Sequence, residues 1–197
     1  MSDSRFAFDD PSGDRDALCG ALAHVHAAGH AMLLALPLSA FHAAQGDRWS
    51  PATHVRHLTR STAPLITAFR LPPWVLRLRF GRARRASRDY TTLVADYRAA
   101  LAAGGQAGRF APPADDASAA SAERRTAILQ GWHRAVRGVE AAVRAWDAVA
   151  LDRVQLPHPL LGPLTAREML AFTVYHTAHH LRLVEARGGL MEGVGGR

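Results

Sequence analysis

The sequence predicts an all-α domain: a four-helix bundle with an extra helical segment between its second and third helices. Three observations lead there. Four long segments carry apolar residues at three- and four-residue steps, the period of a helix face. Proline and glycine clusters separate these segments, and no alternating pattern lasts long enough for a strand. The chain has 197 residues, 48% of them hydrophobic, which suits one domain with a core of its own.

The elements follow in order. Residues 1–13 are polar and acidic and are expected to be flexible; they lack the apolar stretch of a signal peptide. The first helix is expected from about Asp14 to Leu36, with Leu18, Leu22, Val25, Gly29, Met32 and Leu33 on its apolar side and Pro37 ending it. The second starts in "RWSPATHVRHL". Ser50 is a good N-cap, and Pro51 fits the first helical position, where its missing N–H costs nothing. That helix should reach about Phe69, where "LPPW" (Leu71 to Trp74) breaks it. A long irregular connection, 71–118, follows, with a helix inside it over about Arg88 to Gly104. The third main helix is expected over about Ser121 to Val149, with the stripe Ile128, Trp132, Val136, Val139, Val143 and Trp146. "LPHPLLGPLT" (Leu156 to Thr165) reads as a proline-punctuated turn region. The fourth helix opens on a capping box, Thr165 with Glu168, and a hydrophobic staple, Leu164 with Met169. Its expected stop is Gly188-Gly189, with a flexible tail over 189–197.

Composition narrows the function classes. The formal charge is +7, which would suit a nucleic-acid binder. Every basic residue is Arg, however, and the one dense stretch, Arg77 to Arg88, reads best as a solvated connection. Neither a nucleic acid nor a membrane is therefore the expected partner. No apolar run approaches the roughly 20 residues of a bilayer span. Cys19 is alone, so no intrachain disulfide can form, and a reducing cytoplasm is the default compartment. Cys19 itself reads as a core residue.

The histidines carry the chemistry. In "YHTAHHLRL" (Tyr175 to Leu183), His176 and His180 are four apart and point the same way on a helix, whereas His179 is turned by about 100°. A pair at this spacing can grip one metal ion, since neutral imidazole is a good ligand for zinc, nickel or iron. As a bare pattern the pair reads more simply as ordinary core or surface histidines. A third ligand must come from a facing helix, and the second helix offers His54 and His57. His57 lies among Val55, Leu58 and Leu65, so an inward direction suits it; His54, one turn earlier, reads more simply as hydrated. His24, His26, His30 and His42 are assigned to the first helix with no matching partner elsewhere, His133 to a core edge and His158 to a structural turn.

The order and separation of these motifs resemble the DinB/YfiT-like superfamily of metal-dependent enzymes. "WSPATHVRHL" supplies a Trp-Ser helix start and a His before Leu; "HPLLGPLTAREMLAFTVYHTAHHLRLV" supplies a His-Pro turn and His-x-x-His-His on the last helix. The resemblance covers roughly Leu18 to Glu185. It implies a four-helix bundle with a divalent metal on three histidines, matched here by His57, His176 and His180. Zinc is the first choice of ion, with nickel, iron or manganese as alternatives. It also implies either hydrolysis of a small-molecule substrate or S-transfer with a low-molecular-weight thiol cosubstrate such as mycothiol or bacillithiol. A metal-binding helical bundle without turnover is the alternative.

An open metal position would acidify a bound water or keep a thiol ionised. No HExxH glutamate accompanies the ligands, and neither Glu168 nor Glu185 is an obvious base. Tyr175 and His179 flank the ligands and, with His54, are candidates for supporting them or touching substrate. Finally, Trp74, Val75, Leu76, Leu78 and Phe80 lie outside the four main helices. They must cover the helices, line the pocket mouth or bury against a second copy in a homodimer.

Overall fold

A computed structural model describes residues 5–7, 10 and 14–192, with side chains as far as Arg187. Among the described residues the chain is mostly helical: α1 (Arg15–Ala35), α2 (Leu38–His42), α3 (Pro51–Arg70), α4 (Pro73–Phe80), α5 (Tyr90–Ala102), α6 (Ala122–Val143), α7 (Ala148–Arg153) and α8 (Ala166–Glu192). The four long helices pack in a closed ring, α1 on α8, α8 on α3, α3 on α6 and α6 on α1. The contact of α3 with α6 is the most extensive. Leu22, Leu33, Leu58, Trp132, Val139 and Leu181 meet at its centre, all fully buried or nearly so. At Gly29 α1 comes so close to α8 that an added Cβ would lie 2.4 Å from Leu181 Cδ1 and would push that side chain aside.

Side-chain caps set the starts of these helices, at Ser50 and Thr165 as expected and also at Asp14 and Ser121. Asp14 accepts from Ala17 N, Ser50 from Thr53 N and Ser121 from Arg124 N. Thr165 Oγ1 accepts from Glu168 N at 3.0 Å while Glu168 Oε2 accepts from Thr165 N at 2.9 Å, closing the capping box that fixes the entry to α8. Leu164 and Met169 are both buried beside it.

Several sequence expectations need correction. The third helix ends at Val143, not Val149: Asp147 caps the separate α7, and the bend buries Trp146, whose Nε1–H donates to Phe69 O at 2.9 Å. The connection 71–118 is less irregular than expected. Pro72-Pro73 ends one helix and starts another, α4, because proline is tolerated in a first turn. The turn region at 155–165 contains an antiparallel hairpin, β1 (Gln155–His158) with β2 (Gly162–Thr165). Its inward residues Leu156 and Leu164 are buried opposite each other, and its prolines face outward at an edge. Gly188 and Gly189 do not stop the last helix, which continues to Glu192; glycine in a helix costs only about 1 kcal/mol. Phe6, inside the segment expected to be flexible, is wholly buried, and Arg182 donates to its carbonyl. The remaining expectations for 1–13 and for 193–197 lie outside the described residues.

His42 is not on the first helix but ends α2. It is buried, with Nδ1 2.6 Å from Asp115, which also accepts from Arg124. The arginines at 85 and 88 are not simply solvated. Both donate to Glu168, whose side chain is 0% exposed. Burial alone would raise the Glu168 carboxyl, but hydrogen bonds from Arg85, Arg88 and two backbone amides outweigh it and hold the group at about 2. The apolar residues of α4 divide their roles. Leu76 is buried and Phe80 lines the cavity described below, while Trp74 and Leu78 stay 60% and 82% exposed. One further expectation changes: by length and composition alone α1 could cross a bilayer, because its alanines raise the mean hydropathy to 1.3. In the fold it is a core helix, with Leu18, Leu22, Val25 and Leu33 buried.

Candidate metal centre

The capped start of α3 places His54 and His57 one turn apart, and the capping box of α8 sets the register that brings His176 and His180 opposite them. All four are buried. His57 Nε2 lies 3.1 Å from His176 Nε2, which in turn lies 3.1 Å from His180 Nε2. Two nitrogens on one tetrahedral zinc, each about 2.0–2.1 Å from it, would sit about 3.3 Å apart. The donor set therefore has the spacing of a shared ion, and His57, His176 and His180 could hold one.

The hydrogen-bond pattern points the same way. His57 Nδ1 lies 3.0 Å from the carbonyl oxygen of Phe110, which can only accept, so Nδ1 carries the proton and Nε2 keeps a bare lone pair. His180 Nδ1 lies 2.8 Å from His54 Nδ1, an arrangement that frees its own Nε2 in the same manner when Nδ1 donates. His54 is thus not a hydrated histidine but a buried partner of His180. Burial pushes the histidines down: His176 and His180 well below their ordinary range, His57 less so, and His54 to about 4. All are neutral near pH 7, the form that binds metal. Phe172 stacks on His176 and Trp49 lies near His57 and His180, so aromatic rings wall the cluster.

The three nitrogens open onto a cavity of about 650 Å³. Leu65, Leu101, Phe110, Leu156, Leu160 and Phe172 are among the apolar residues of its wall. No Asp or Glu is among the described residues lining it. Glu168 is held by its arginines and Glu185 pairs with Arg5 at 2.7 Å, so neither of these two is available as a base. Of the flanking candidates, His179 lines the cavity, but Tyr175 turns away from it and accepts from Arg98 Nε at 3.0 Å. Tyr97 lines the cavity with its phenol pushed up to about 12 by burial, so it remains a hydrogen-bond donor. His158, read as structural, does accept from the amides of Leu160 and Leu161, yet it also faces the cavity. Sequence reasoning missed Tyr97, the 106–111 segment and Phe110. Only the His-Pro dipeptide at 158 gave any signal.

A family model described as the DinB superfamily matches residues 21–184. The chain belongs to the DinB superfamily. No curated protein and no solved structure matches it. The matched span contains all of His54, His57, His176 and His180, so the cluster lies inside the part of the chain that defines membership.

Proposed function

We propose that this DinB-superfamily protein is a metal-dependent enzyme whose ion is held by His57, His176 and His180, and that it transfers the sulfur of a low-molecular-weight thiol to an apolar small-molecule electrophile. The observation that carries the reading is the convergence of three buried nitrogens, two of them with their other nitrogen engaged, at the end of an apolar cavity without a described carboxylate. A divalent ion there supplies a Lewis-acid centre that keeps a thiol ionised near neutral pH.

The protein's own groups supply the rest. His54 orients His180, the Phe110 carbonyl orients His57, and the apolar wall excludes water and takes up the body of the electrophile. The apolar wall, which suits the carbon body of an alkyl electrophile, favours S-transfer over hydrolysis. The reading also takes α1, α3, α6 and α8 as the four-helix bundle that the sequence resembles; their closed ring of contacts supports it.

The test is elemental analysis followed by assay of the metal-loaded protein. Thiol conjugation to apolar alkyl halides and epoxides is expected, as is its loss in His57→Ala together with the metal. Hydrolysis of aryl esters without conjugation would replace S-transfer by hydrolysis. Purified protein that takes up no divalent metal would remove the reading altogether.

A further inference from the structure

We propose that His26, His30 and His133 form a second binding site for a divalent transition-metal ion, on the seam between α1 and α6 and separate from the cavity. His26 and His30 are four apart on α1 and so share a face. The fold brings His133 of α6 against them, a partner that the sequence did not reveal. The ring of His26 lies 5.2 Å from that of His133 and 5.9 Å from that of His30, tilted by 45° and 41°. Imidazoles on one tetrahedral ion have ring centres about 5 Å apart, given metal–nitrogen bonds of about 2.0–2.1 Å. In the first cluster the same ring separations run from 4.6 to 5.0 Å. The second trio is looser: His26 is ring-adjacent to both partners, but the three sets of nitrogens do not converge as those of the first cluster do, so His30 and His133 must turn to meet a shared ion.

The groups differ in freedom in a useful way. His26 is 7% exposed, and its Nε2 is buried without a hydrogen-bond partner. Such an atom is costly to leave unsatisfied. His30 is half-buried and His133 exposed, so both can turn toward a shared ion from the solvent side. Arg137 of α6, whose charge acts on His26, is itself paired with Glu140 at 2.6 Å. An all-imidazole set selects zinc, nickel or copper(II) over magnesium or calcium, which take oxygen ligands.

The test is titration of the metal-free full chain with zinc, read by calorimetry and by competition with a chromophoric chelator. Wild type should bind a second equivalent beyond the first, and His176→Ala should keep it. His30→Gln and His133→Gln, which alter accessible side chains and leave the core intact, should each weaken that equivalent by at least about tenfold. The double variant should retain only the first. A single equivalent in wild type, lost in His176→Ala, would overturn the proposal and leave a buried water as the partner of His26. So would a second equivalent that survives the double variant with unchanged affinity. Because the second site is read by stoichiometry in the His176→Ala background, its failure is distinguishable from failure of the first.

Discussion

Removing metal from the His57–His176–His180 cluster should destabilise the fold without abolishing it. Without an ion, His57 Nε2 has no proton of its own, because Nδ1–H serves Phe110, and His180 Nε2 is equally bare when its Nδ1 donates to His54. His176 Nε2 can carry one hydrogen and lies 3.1 Å from both. One of the two bare nitrogens is then left without a donor in a buried space. An ion satisfies all three nitrogens at once and joins α3 to α8. A ligand that binds only the folded state at a thousand times its Kd adds about 4.1 kcal/mol. For a chain of this size each kcal/mol moves Tm by about 2–4 °C, so chelation should lower Tm by about 8–16 °C. The apolar core remains, so the chain stays folded at room temperature. The assay is differential scanning calorimetry of the loaded protein with and without chelator, with metal content measured in parallel. In His57→Ala the chelator-dependent shift should collapse. Loss of metal from wild type with no change in Tm would refute the coupling.

Three further predictions can be measured on the same protein. Glu168→Gln should cost about 2–3 kcal/mol in urea denaturation, because a fully buried carboxylate loses charge-assisted bonds from Arg85 and Arg88; the exposure of Arg85 keeps the value at the lower end. The wild-type contribution is present above pH 4.5 and is lost as pH falls toward about 2, so a variant whose stability matches wild type at pH 7 would disprove the clamp. Acid should destabilise the metal-free protein earlier, and for a different reason. His54 and His158 ionise near 6.5 when unfolded but only at about 4 when folded, so the unfolded chain binds more protons between these values. Each such histidine removes up to about 1.4 kcal/mol per pH unit below 6.5, and a Tm flat from pH 7 to pH 4.5 would contradict it. We also propose that exposed Trp74 and Leu78 are contacts of a homodimer. Light scattering should show a dimer for wild type and a monomer for the Trp74→Glu, Leu78→Glu double variant. Leu76 is unsuitable for this test because it is buried in its own chain; a wild-type monomer at high concentration rules the dimer out.

Much of the architecture was legible because it is local. Helix starts depend on side chains within three residues of the free amides, and Ser50 and Thr165 cap as their sequence context indicates; Asp14 and Ser121, read only as approximate starts, cap in the same way. The pairing of His176 with His180 is equally local, since a helix sets positions four apart on one face. The association of His57 with that pair came from the family resemblance, and the fold brings the three together. What the sequence alone could not decide depends on contacts between distant residues. Nothing near His54 reveals that it would meet His180, 126 positions later, rather than water. The roles of Phe110, Arg85 and His133 are likewise assigned by the partners that packing brings to them, from 53, 83 and 107 positions away. The ends of helices belong to the same class: Trp146 leaves the helical stripe because a buried site beside Phe69 repays the bend. Caps and periodicity act over a single turn of chain, whereas burial, tautomer and cavity lining are properties of surfaces that exist only after the four long helices have packed.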